Sequence, residues 1–172
     1  MRNGLAMALV VACLAGCGKE NGPADGGKST ITIKGSDTMV ILGQRWAEEY
    51  MKSHANFVVQ VTGGGSGTGI AALINGTTEI CMASRPMKDK EKKQLKEKQG
   101  KDAHEVSVAL DGIAVFVHDS NPVQEASLEE LKGVYTGKTT AWWGGKSDPL
   151  VAYGRENNSG TYMYFKEHVL GE

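Results

Sequence analysis

Three times along the chain a β-rich run ends in a Gly/Ser/Thr turn and passes into a helical pattern: "TITIKGSDTM" from Thr30, "NFVVQVTGGGSGTGI" from Asn56, and "PLVAYGRENNSGTY" from Pro149. A strand that repeatedly feeds a helix through a short turn predicts an α/β fold, with parallel strands covered on both faces. Such turns gather at the carboxyl edge of a parallel sheet, where helix N-termini present unpaired N–H groups and a partial positive charge. A fourth junction, "MASRPM" (82–87), adds Ser84 and Arg85. Together the four describe a cavity of neutral donors with one or two arginines. That chemistry suits a compact tetrahedral oxyanion, because many donors converge and a guanidinium grips two oxygens at once.

Each junction also has a plainer account. Ser36 or Asp37 can simply cap its helix, and Ser159 and Thr161 can do the same for the last one. Arg155 can pair with Glu156 on the surface, and Arg85 can be a solvent charge. The glycine-rich stretch fails three nucleotide and hydrolase patterns. Gly64 to Gly69 has the spacing of a Walker loop, but Ile70 stands where the phosphate-binding lysine belongs. Gly65 and Gly67 are followed by Ile70 rather than by the third glycine of the dinucleotide fingerprint. Thr68 replaces the last glycine of a nucleophile elbow around Ser66.

Periodicity fills in the rest. A helix is expected from Met39 to His54 with Met39, Leu42, Trp46 and Tyr50 on one face. A short helix with Ile70, Leu73 and Ile74 inward follows the glycine stretch, then a strand over "TEICMAS" (78–84). The charged run "KDKEKKQLKEKQ" (88–99) reads as a solvated helix with Leu95 its one apolar member. "HEVSVALDGIAVFVHDSNP" (104–122) reads as two extended segments meeting at Asp111-Gly112, and Ser127 with Glu130 reads as a capping box. "PLVAYG" (149–154) is expected to be a strand. A formal charge of −1 over 172 residues argues against nucleic-acid binding. The four histidines show no pairing that suggests catalysis or metal binding, and buried packing is expected of Trp142 and Trp143.

The first 17 residues carry Arg2, an apolar run from Leu5 to Leu14, and then Ala-Gly-Cys. The run is too short to span a bilayer and reads as a secretory signal. Its end resembles a bacterial lipobox, which implies cleavage before Cys17 and acylation of that cysteine. Residues 18–29 then form a polar, glycine-rich tether. Cys13 leaves with the signal. Cys81 is expected to be a small core residue without a disulfide partner.

Taken in order, "IKGSDTM", "VTGGGSGTGI", "MASRPM", "ALDGIAVFVHDSNPV", "LKGVYTGK" and "YGRENNSGTY" resemble the phosphate-binding proteins of bacterial ABC phosphate transporters, from Thr30 to Gly171. The resemblance implies a two-lobe periplasmic-binding-protein fold of type II that closes on inorganic phosphate like a clamp. It implies ligands Ser36, Thr38 and Ser66, with Arg155, Ser159, Gly160 and Thr161 from the other lobe, and Asp37 and Gly67 beside them. Arg85 stands where the best-known members place a carboxylate that accepts the ligand's proton, so Asp37 is the alternative acceptor and Arg85 a candidate ligand. Asn157 stands where they place an aspartate that pairs with the arginine, and Glu156 is the possible substitute. The family continues well past this point. The expectation is therefore a first lobe over 30–108 and a partial second lobe over 109–172, a hinge near Val106 to Gly112, and exposed apolar faces. The implied protein is a lipid-anchored monomer in the periplasm or at the cell surface, without cofactor or metal, that hands phosphate to the transmembrane subunits of an ABC permease. A phosphate-sensing receptor and a phosphomonoesterase using the same loops are the alternatives.

Overall fold

A computed structural model describes residues 27–143 and 149–172. The expected signal, Cys13, the acylated Cys17 and most of the tether lie outside the described residues.

The chain is α/β, with a parallel sheet. Strands β1 (Ser29–Gly35), β2 (Phe57–Thr62) and β3 (Ile80–Met82) form a three-stranded sheet in the order β2-β1-β3. Both pairings are parallel, with Ile33 opposite Val61 on one side and Ile80 on the other. The helix α1 (Val40–Ser53), entered through a 3₁₀ turn at Asp37–Met39, connects β1 to β2. The helix α2 (Ser66–Ile74) connects β2 to β3. The crossovers from β1 to β2 and from β2 to β3 run in opposite directions across the sheet, so right-handed connections put their helices on opposite faces. Consecutive strand residues confirm this: α1 meets Met82 at Gly43, whereas α2 meets Cys81 at Gly69.

On the α2 face, Ile70 and Ile74 pack with Met87 and with Leu95 of α3 (Asp89–Gln99). Leu95 is the buried member of that otherwise charged helix, as its pattern predicts. The other face differs from expectation. The buried residues of α1 are Gly43 and Ala47, while Leu42, Trp46 and Tyr50 are exposed, Trp46 by 49 %. The helix lies so close to the sheet that a Cβ at Gly43 would sit 2.6 Å from Met82 Sδ. Only the smallest residues fit along that seam, and the large ones are turned outward.

Beyond Gln99 the strands expected from the sequence do not form. No ladder involves 104–122, and Val106, Leu110 and Phe116 stand exposed. The stretch 149–154 contributes a single antiparallel bridge, Ala141 to Pro149. Alternating residues favour a strand only where a neighbouring strand can take up their backbone groups, and among the described residues none lies alongside. Exposed apolar faces were anticipated, and these segments and α1 carry them.

The helix α4 (Leu128–Tyr135) begins on the expected capping box, with Ser127 Oγ accepting from Glu130 N and Ser127 N donating to Glu130 Oε2 at 2.7 Å. The helix α5 (Gly160–Phe165) passes into a π-helical turn at Lys166–Leu170. Trp142 and Trp143 are half-buried and tilted against each other at 6.2 Å. Cys81 is half-buried, and burial pushes its thiol up to about 11, so it is inert at neutral pH.

Candidate functional site

The loops after β1 and β3 leave the sheet side by side at its carboxyl edge, the place where open α/β sheets bind ligands. Ser36 N donates to Met82 O at 2.8 Å and holds the first loop against the third strand. Four hydroxyls converge there. Ser36 Oγ lies 2.9 Å from Thr38 Oγ1 and donates to Ser84 Oγ at 3.2 Å. Ser66 Oγ lies 3.1 Å from Ser84 Oγ and accepts from Ser84 N at 3.1 Å. Ser66 is fully buried and Ser36 nearly so. A hydroxyl both donates and accepts, so the members of this cluster satisfy one another and can turn several O–H groups toward an entering anion.

Ser66 arrives at the head of α2 by way of a glycine turn. Gly64 and Gly65 have φ of 113° and 88°, a region open to glycine and closed to most side chains. The loop before α5 is seated on this turn. Asn158 donates through Nδ2 to Gly64 O at 2.9 Å and to Thr68 Oγ1 at 3.2 Å, and its own carbonyl accepts from Gly67 N at 2.9 Å. Gly160 is thereby pressed against the cluster: a Cβ there would meet Ser84 Oγ, and Ser66 Oγ at 2.6 Å. Ser159 is buried, and its hydroxyl caps α5 by accepting from Tyr162 N at 3.4 Å. Thr161 follows, half-buried.

The charged groups of the site pair with one another. Asp37 accepts from Gly64 N at 2.7 Å through Oδ1 and from Arg155 Nη2 at 3.0 Å through Oδ2. Arg155 Nε also donates to Glu156 at 3.2 Å. Glu156 is exposed, and its carboxyl is held below the usual range by a backbone N–H and by Arg155. The single guanidinium beside the cluster is matched by two carboxylates, so neutral donors rather than net positive charge would hold an anion.

Of the residues singled out in the sequence, Ser36, Asp37, Thr38, Ser66, Gly67, Arg155, Ser159 and Gly160 are drawn together, with Thr161 adjoining. Arg85 is turned to other partners. Its Nη1 and Nη2 grip both oxygens of Glu91 at 2.9 and 2.8 Å, and Nη1 also donates to Pro86 O. The Gly67 N–H faces Asn158 rather than open space. Ser84, offered by the fourth junction, joins Ser36 to Ser66. One residue was missed as a site member: Asn158, read only as part of a loop, is the residue that docks that loop. Among the described residues no group of three His, Cys, Asp or Glu side chains is arranged to hold a metal ion.

The Arg85–Glu91 pair gives a prediction of its own. Glu91 also caps α3 through Lys88 N at 2.8 Å, and Arg85 chiefly holds its carboxyl below the usual value of 4.5. A depressed carboxylate contributes stability that is full above 4.5 and is lost as pH falls through the lower folded value. Glu91→Gln should lower the unfolding free energy at pH 7 by about 2 kcal/mol. It should also flatten the acid limb of the stability curve, read by urea melts between pH 3 and 7.

A family model described as a PBP superfamily domain matches residues 21–172. The chain belongs to that superfamily. Among PBP relatives, the phosphate-binding protein PstS of Pseudomonas aeruginosa is 33 % identical over 97 % of this chain and 56 % of its own length. PstS of Staphylococcus saprophyticus is 35 % identical over 91 % of this chain and 51 % of its own. A Clostridium perfringens protein solved with bound phosphate superposes with a TM-score of 0.71 at 36 % identity, covering 82 % of this chain and 56 % of that one. An ABC-type phosphate transport receptor from Vibrio cholerae gives 0.64 at 34 %, covering 80 % and 54 %. The chain spans about half the length of the curated relatives it matches.

Proposed function

We propose that this chain is part of an extracytoplasmic receptor that captures inorganic phosphate and delivers it to an ABC-type permease. The observation that carries the reading is the convergence of the Ser36, Thr38, Ser66 and Ser84 hydroxyls against the Arg155–Thr161 loop. The names of the relatives and the phosphate bound to the Clostridium perfringens protein support the choice of anion. In this reading the hydroxyls and the backbone N–H groups around Ser66 and Gly160 donate to the phosphate oxygens. Arg155 turns from Asp37 to grip two of them, and Asp37 accepts the proton that phosphate carries and sulfate lacks. The sheet unit and the residues from 109 onward act as two jaws hinged near Val106 to Gly112, closing over the anion. Cys17 carries the lipid that tethers the receptor to a bacterial membrane, and the chain works as a monomer.

Calorimetric titration with phosphate, with sulfate as competitor, tests this. Saturable phosphate heat that sulfate cannot displace is the expected result. Because the site carries a net charge of only −1, from Arg155 against Asp37 and Glu156, raising ionic strength from about 0.01 M to about 0.15 M should change the affinity less than roughly threefold. A folded chain that takes up no phosphate, or takes sulfate equally well, overturns the reading.

A further inference from the structure

Asn158 makes more contacts with the glycine turn than any ligand role requires. We infer that Asn158 is a positioning residue, a latch that fastens the Arg155–Thr161 loop to the Gly63–Thr68 turn before any anion arrives. The three hydrogen bonds run in both directions. Its amide nitrogen donates to Gly64 O and Thr68 Oγ1, and its backbone carbonyl accepts from Gly67 N. The turn is shaped to receive it: a Cβ on Gly65 would lie 2.8 Å from Asn158 O, and one on Gly67 3.2 Å. Gly65 is therefore needed for the approach of Asn158, and Gly67 eases it, whether or not a ligand approaches as well.

Two consequences follow for the site. The Gly67 N–H, one of the free donors at the head of α2, is engaged by protein and is not offered to the anion. The anion is left to the hydroxyl side of the turn, at Ser66. The latch also seats Gly160 against the hydroxyls and sets Arg155 within 3.0 Å of Asp37. For its effect on ligand residence the inference rests on the phosphate reading; for the latch itself it does not.

The test is amide hydrogen exchange, resolved by residue, on the anion-free chain, with Asn158→Ala and the milder Thr68→Val. Exchange of Gly67 N–H is expected to quicken roughly tenfold in Asn158→Ala and less in Thr68→Val, while Ile33 in β1 keeps its protection. Phosphate should then leave the Asn158→Ala protein roughly tenfold faster, and the two substitutions should combine non-additively on affinity because they share one hydrogen bond. Unchanged Gly67 exchange in both variants overturns the latch. Quickened exchange with an unchanged phosphate off-rate overturns its positioning role. If the parent chain takes up no phosphate, the functional reading fails separately and the exchange rates alone decide the latch. Should Asn158→Ala not fold, Thr68→Val, which removes one bond only, gives the same reading.

Discussion

Gly69→Ala lowers the unfolding free energy by about 3 kcal/mol, seen as a large drop in the urea midpoint. A Cβ at this position would lie 2.5 Å from Gly35 Cα, 2.5 Å from Lys34 O and 2.9 Å from Cys81 Sγ. Two of those three atoms belong to the backbone of β1, the central strand, and cannot swing aside. The helix α2 would have to lift from the sheet, which opens the Ile70, Ile74, Met87 and Leu95 core and shifts Ser66 at its head. Gly43→Ala is the informative contrast. Its nearest neighbour is the Met82 thioether at 2.6 Å, the flexible end of a side chain. Methionine adapts, so the cost there should stay below about 1 kcal/mol. Equal losses at the two positions would contradict the account of how the helices sit.

The second large effect falls on the site. Gly160→Ala should weaken phosphate binding on the order of a hundredfold, equivalent to about 3 kcal/mol, and should also lower the urea midpoint, because the added methyl overpacks buried Ser66. Gly160 opens α5, where alanine is a better helix former than glycine, which offsets part of that overpacking cost. The methyl group would point at Ser66 Oγ, 2.6 Å away, and at Ser84 Oγ. Either the loop backs off, carrying Arg155 and Ser159 with it, or the hydroxyls turn away from the cavity. Both outcomes remove donors that a tetrahedral anion needs together. Calorimetry on the variant checks it, and retention of parental affinity would mean that phosphate does not bind between these elements.

How much of this was legible depended on what kind of residue carried the information. Large apolar residues in a clear period were read correctly: Ile70, Leu73 and Ile74 in α2, and Leu95 alone in α3. The face of α1 was not, because a helix packed tightly on a sheet buries Gly43 and Ala47, and hydropathy follows Leu42, Trp46 and Tyr50 instead. The strands expected at 104–122 and 149–154 carry a genuine alternating pattern. A ladder needs a partner, though, and a single segment's sequence cannot supply one.

The site shows the same division. Ser36, Thr38 and Ser66 could be named because strand–turn–helix junctions converge by topology, whereas the Arg155–Thr161 loop follows no strand among the described residues and rested on the family resemblance. Which arginine faces the site could not be named, since only the fold reveals that Glu91 at the head of α3 takes Arg85. Asn158 was hidden for a different reason. Its role is defined by backbone groups of the glycine turn, and backbone acceptors look alike in every sequence.

The measurement that bears most directly on the central claim is a crystal structure of the chain grown with phosphate. The account predicts one anion bounded by Ser36, Ser66 and Ser84, with Arg155 and Gly160 closing over it and the Gly67 N–H still donating to Asn158. Phosphate bound elsewhere at full occupancy, with the hydroxyl cluster still bonded to itself, would contradict it.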